Sequence, residues 1–169
     1  MKIALIPGSF DPITLGHVNI IERAAKTFDK VYVAVMNNDS SKYSSSLSSK
    51  SYTFKPEERL LMACASVSHL ENVEAIYREG IMLIDLFDEL GAAAIVKGIR
   101  NANDLEYEMI HAKWNKEHNE RAETLFLPAD ERFSAVSSTA VREMIAEGKF
   151  EALCGIVHEK ALELIKKRS

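Results

Sequence analysis

The sequence predicts an α/β fold, a doubly wound parallel sheet with helices on both faces, as a single domain over residues 1–169. Three observations predict it. Short apolar runs alternate with helical patterns from end to end, which means βαβ units. A chain of 169 residues, 47% of them hydrophobic, can bury one full-sized core. The first apolar run also leads directly into a glycine- and hydroxyl-bearing turn, Gly8 to His17, that opens a helix.

Each element follows from the pattern. Ile3–Ile6 reads as a strand, and His17–Phe28 as a helix that buries Ile20, Ile21, Ala24, Ala25 and Phe28. Val31–Met36 is a second, β-branched strand. Pro56–Val67 is a helix with Pro56 in its first turn. A short strand at Val73–Ile76 precedes a helix near Met82–Leu90, which Gly91 ends. Ala94–Val96 makes the next strand, Asn101–Asn119 a long polar helix, and Thr124–Leu127 another strand. Helices near Ser138–Glu147 and His158–Lys167 close the chain. One stretch departs from this rhythm. Residues 40–53 are Ser-rich and too polar to pack, so they read as a solvated loop in which Lys42, rather than the serines, is the candidate for substrate contact.

Bulk properties exclude several roles. A formal charge of −4 argues against a nucleic-acid surface, which would show a basic face. No apolar run is long enough to span a membrane, and Met1-Lys2 leads straight into a strand, so a signal peptide is not expected. Cys64 and Cys154 are far apart without CxxC spacing and read as buried free thiols in a reducing cytoplasm. No His/Cys/Asp cluster has metal-ligand spacing.

Chemistry concentrates in three segments, each just after a predicted strand, where ligands of parallel sheets bind. The first is Gly8-Ser9-Phe10-Asp11-Pro12-Ile13-Thr14-Leu15-Gly16-His17. It puts a hydroxyl, two glycines and a histidine where N–H groups converge at a helix N-terminus, a site suited to phosphate. In the second, Lys97-Gly98-Ile99-Arg100, Gly98 permits close backbone approach between two cations, and the acidic stretch Asp104-Leu105-Glu106-Tyr107-Glu108 follows. The third, Val136-Ser137-Ser138-Thr139, opens a helix with Arg142 one turn in. A plain N-cap at Ser138 or Thr139 accounts for that segment equally well in local terms.

Thr14-Leu15-Gly16-His17 is similar to the T/HxGH signature of the nucleotidyltransferase superfamily. The three segments together resemble the bacterial phosphopantetheine adenylyltransferase family, and the GIRxxxDxEYE pattern in the middle is its specific mark. The resemblance runs from Lys2 to the C-terminal helix and implies a Rossmann-like fold. It also implies a reaction: ATP gives its adenylyl group to 4′-phosphopantetheine, yielding dephospho-coenzyme A and pyrophosphate. Mg²⁺ carried by ATP, feedback inhibition by coenzyme A and a homohexamer are implied as well.

Residue roles follow from the same resemblance. His17 stabilises the transition state at the α-phosphate, with Ser9, Arg100 and Lys42 completing the catalytic set. Ser9, Phe10, His17, Gly98, Ile99, Arg100 and Glu108 bind ATP, together with Phe133, Ser134, Ala135, Val136, Ser137, Ser138 and Thr139. Ser9, Lys42, Leu83 and Lys97 contact phosphopantetheine. Lys97 stands where the family has arginine, keeping the charge but losing the bidentate fork. Lys50 is the alternative to Lys42. Two rivals stand beside this reading: a nucleotidyltransferase acting on nicotinamide mononucleotide or glycerol phosphate, which lacks the middle pattern, and a non-catalytic nucleotide sensor, which would not require His17.

Overall fold

The computed structural model describes residues 1–37 and 51–168. Its strands are β1 (Ile3–Gly8), β2 (Lys30–Val35), β3 (Val73–Tyr77), β4 (Ala94–Ile99) and β5 (Thr124–Pro128). They form one parallel sheet in the order β3-β2-β1-β4-β5. The helices are α1 (Leu15–Ala25), α2 (Pro56–Val67), α3 (Leu83–Glu89), α4 (Ala102–His118), α5 (Ser138–Ala146) and α6 (Glu159–Arg168). The alternation expected from the sequence is therefore present, and the fold is Rossmann-like.

Period-two alternation distributes the strand side chains between two cores. Ala4, Ile6, Val31, Val33, Val35 and Val96 face one side, with Ile20 and Ile21 of α1, Met62 of α2, Val141 of α5 and Ile165 of α6. Leu5, Ala34, Ile76 and Ile95 face the other, against Leu86 and Phe87 of α3. Both faces are apolar because both are covered, as a parallel sheet requires.

The strands run further than the sequence suggests. β1 continues through Pro7 and Gly8, and β4 through Lys97, Gly98 and Ile99. Lys97 thus lies inside a strand and not after it, because β5 supplies pairing partners as far as Ile99. In contrast, α1 ends at Ala25, short of Phe28. The cysteines are free but exposed, correcting the buried reading: Cys64 lies on α2 with its thiol 3.9 Å from the Ala75 carbonyl of β3, and Cys154 in the turn after Leu153.

One register detail positions the site. β1 and β4 are neighbours but pair only at Ala4↔Ala94 and Leu5↔Ile95. Beyond that, β1 stays with β2 through Gly8, and β4 stays with β5 through Ile99. The sheet parts at this seam, which is also where the strand order reverses.

Candidate active site

The parted strands open a cleft of about 450 Å³. Ile6, Pro7 and Gly8 line one wall, and Val96, Lys97 and Gly98 the other. Ser9, Phe10, Thr14, Gly16 and His17 come in from the β1–α1 turn, while Arg100, Asp104, Tyr107 and Glu108 descend from α4 and its lead-in. Phe133, Val136, Ser137, Ser138, Thr139 and Arg142 close the third side. All three sequence segments meet there.

His17 is the third residue of α1, and its orientation is fixed by the residue that begins the helix. Its Nδ1 accepts the Thr14 backbone N–H at 3.0 Å and lies 2.9 Å from the Thr14 hydroxyl. A backbone amide can only donate, so Nδ1 carries no proton and Nε2 must carry it. Burial, aided by the nearby Arg100 guanidinium, pulls the imidazole pKa down to about 4. The cleft therefore receives a neutral ring with an Nε2–H donor. Ring and helix N-terminus act on the same space.

The turn before it is tightly built. Phe10 is buried and sits in the left-handed region at φ 45°, a conformation that costs about 1–3 kcal/mol for a residue with a Cβ. Its ring packs edge-on against His17, with centroids 5.2 Å apart. Gly8 lies against that ring: a Cβ there would come within 2.9 Å of it. Asp11, buried, accepts the N–H groups of Thr53 and Phe54 at 2.9 and 2.8 Å, tying the turn to the approach of α2.

The cations of the middle segment are held by acids of α4. Arg100 makes a bidentate pair with Asp104, Nε to Oδ2 at 2.8 Å and Nη2 to Oδ1 at 3.0 Å. That pairing raises the guanidinium pKa and lowers the carboxyl's. Its Nη1 also reaches the Val136 carbonyl at 3.5 Å, joining the second and third segments. Lys97 Nζ lies 3.1 Å from Glu108 Oε2, with both side chains largely covered. Gly98 lines the cleft and also leaves room for Ile20: a Cβ there would meet Ile20 Cγ1 at 2.9 Å.

Among the hydroxyls the division of labour differs from the expected N-cap. Ser137 caps α5, accepting Ala140 N–H at 3.1 Å. Ser138 donates to the Pro12 carbonyl at 2.9 Å, and Thr139 accepts from Arg142 at 3.1 Å. Arg142 also donates to the Asp11 carbonyl at 2.7 Å. First and third segments are thereby stitched together.

Several expected residues stand apart. Leu83 starts α3 and packs toward the second core, outside the cleft lining. Ile99, Ser134 and Ala135 also fall outside that lining. Lys42 and Lys50 lie outside the described residues. The cleft adds Thr14 and Tyr107, which sequence reasoning did not place in the site. For Thr14 the signal was present: Thr14-x-x-His17 has capping-box spacing, with the ring in the place usually taken by Glu or Gln. Among the described residues, no group of three or more His, Cys, Asp or Glu is arranged to hold a metal ion.

A cytidylyltransferase-like family model matches residues 5–144. A curated protein of Staphylococcus saprophyticus, named phosphopantetheine adenylyltransferase, is 41% identical over 85% of this chain and 83% of its own length. A protein of the same name from Staphylococcus carnosus is 42% identical over 83% of this chain and 81% of its own. Among solved structures, a Vibrio parahaemolyticus protein described as a nicotinate-nucleotide adenylyltransferase has the same fold. It matches with a TM-score of 0.71 over 99% of this chain and 93% of that one, at 22% identity.

Proposed function

This chain belongs to the cytidylyltransferase-like family and, we propose, acts as a phosphopantetheine adenylyltransferase, transferring the adenylyl group of ATP to 4′-phosphopantetheine with release of pyrophosphate. One observation carries the reading: the seam between β1 and β4 brings the His17 ring, Lys97 and Arg100 to one cleft. The curated relatives' names support the same activity.

The chemistry needs no protein nucleophile. An oxygen of the phosphopantetheine phosphate attacks the α-phosphorus of ATP, the bond to the bridging oxygen of the β-phosphate breaks, and pyrophosphate leaves. The protein's task is to hold two repelling anions in line and to meet charge at the pentacoordinate phosphorus. His17 donates its Nε2–H to the α-phosphate, and its unprotonated Nδ1, still accepting the Thr14 N–H at neutral pH, holds the ring in place for it. Ser9 and the Phe10 amide contact the phosphates of both substrates. Arg100 binds the ATP phosphates with the amides of Val136–Thr139, which lead into α5, and Phe133, Ser134 and Ala135 complete the nucleotide stretch. Gly98, Ile99 and Glu108 flank the nucleotide.

Lys97 faces the acceptor, with Leu83 along the pantetheine arm and Lys42 as the loop cation. Mg²⁺ arrives as the MgATP complex, held by phosphates and water as suits a hard cation that dehydrates reluctantly. Residues 1–169 act as one domain. Coenzyme A, which shares the pantetheine arm, competes for the same cleft.

Assembly as a homohexamer is supported by the exposed apolar side chains of α4, Leu105, Tyr107, Met109 and Ile110, with Leu125 on β5. No helix among the described residues is long and apolar enough to cross a membrane. We place the enzyme in the cytoplasm, where its unpaired thiols stay reduced.

The deciding experiment is pyrophosphate release from MgATP with phosphopantetheine, nicotinamide mononucleotide or glycerol phosphate as acceptor. Stimulation by phosphopantetheine alone is expected. Stimulation by another acceptor and not by phosphopantetheine overturns the assignment.

A further inference from the structure

Behind the cleft, and not part of its lining, lies Arg59 in the first turn of α2. It is 0% exposed. Arginine is almost never fully buried without a paired acid. Here, among the described residues, no carboxylate pairs with it, and the adjacent Glu58 turns to Arg168 at 3.4 Å. Among the described residues, three groups hold the charge. Nη1 donates to the Ser9 carbonyl at 2.7 Å and Nη2 to Asn37 Oδ1 at 2.5 Å, and the guanidinium stacks 4.4 Å from the Tyr52 ring centroid.

The bond to Ser9 matters most. A peptide unit is planar and trans, so its carbonyl and N–H point to opposite sides. With the Ser9 carbonyl drawn back toward Arg59, the N–H of the same unit, that of Phe10, is directed away from Arg59. Both residues of that unit line the cleft. The left-handed φ of 45° at Phe10 is the backbone bend that accompanies this orientation. A charge-assisted hydrogen bond on the carbonyl also polarises the unit and strengthens its N–H as a donor.

We propose that Arg59 is a positioning residue for adenylyl transfer, holding the Ser9 carbonyl from behind so that the Phe10 N–H is aimed and polarised toward a substrate phosphate. The inference rests on the proposed activity for its kinetic consequences, though not for its geometry. Its test combines kinetics with the ¹⁵N–¹H resonance of the Phe10 amide, followed as MgATP is added to the full chain.

In Arg59→Gln, kcat should fall about 10- to 100-fold, the scale of weakening one preorganised donor. KM for ATP should change by less than about threefold, because the loss is concentrated in the transition state. The Phe10 amide shift on adding MgATP should shrink in parallel. Arg59→Lys keeps a charged donor for Ser9 and should recover part of both signals. Wild-type kcat in folded Arg59→Gln overturns the proposal.

Should Arg59→Gln fail to fold, Arg59→Lys decides: reduced kcat with an unchanged amide response overturns the proposal, and a joint reduction supports it. If the wild type releases no pyrophosphate with phosphopantetheine, the functional reading fails instead. The amide response of the variants to MgATP alone then still decides on Arg59.

Discussion

The imidazole of His17 accepts the backbone N–H of Thr14 at 3.0 Å, so the helix that presents the ring also selects its tautomer. The side chain cannot rotate away without uncapping α1. Replacing His17 by Ala should therefore cost about 100- to 1,000-fold in turnover, the scale of removing one preorganised donor. Nucleotide affinity should change by only a few-fold. Single-turnover rates beside equilibrium titration with a non-hydrolysable ATP analogue would separate the two. Weak binding with normal turnover would refute a transition-state role.

The same contact has a pH signature. An imidazole at about 4 in the folded chain, against its ordinary 6.5, binds fewer protons folded than unfolded between those values. Stability from this group is thus complete above 6.5 and is lost as pH falls through that window to about 4. Ring ¹⁵N spectra should show the neutral Nε2–H form down to about pH 5. A midpoint near the ordinary value would sink this account.

Gly98 and Ile20 form a second testable pair. A Cβ at position 98 would lie 2.9 Å from Ile20 Cγ1, an atom close to the helix backbone that cannot swing clear. Gly98→Ala should destabilise by about 1–3 kcal/mol through overpacking. Adding Ile20→Ala should recover part of that loss. Denaturant unfolding of both single variants and the double variant measures the coupling; simple additivity would show that the clash is relieved elsewhere.

Asp104 sets the aim of Arg100. Its bidentate grip at 2.8 and 3.0 Å keeps the guanidinium beside the Val136 carbonyl. In Asp104→Ala the freed arginine must be ordered anew by each nucleotide. The KM for ATP should rise about 3- to 10-fold, matching the ordering of one long side chain. Steady-state kinetics would check this, and an unchanged KM would mean that Arg100 is positioned without its acid.

Much of the architecture was legible because a sheet covered on both faces writes continuous apolar runs. Strand ends were less legible: Lys97 and Gly98 carry no apolar signal, yet pairing with β5 keeps them in register. The site segments could be read because glycine, hydroxyl and basic residues cluster after strands. The parts that act across the sequence could not. Nothing local to Arg59 announces Ser9, fifty residues away, and nothing near Ser138 announces the Pro12 carbonyl. At Gly98 the sequence shows that a side chain is missing but not that Ile20 fills the space.

The seam between β1 and β4 carries a broader implication. Room for two large anionic molecules comes from the hydrogen-bonding register of the main chain and not from trimming side chains. Acceptor preference can then drift through exchanges on surrounding helices and turns while the scaffold keeps its opening. Adding rungs between these two strands, by contrast, would seal the gap whatever residues surrounded it.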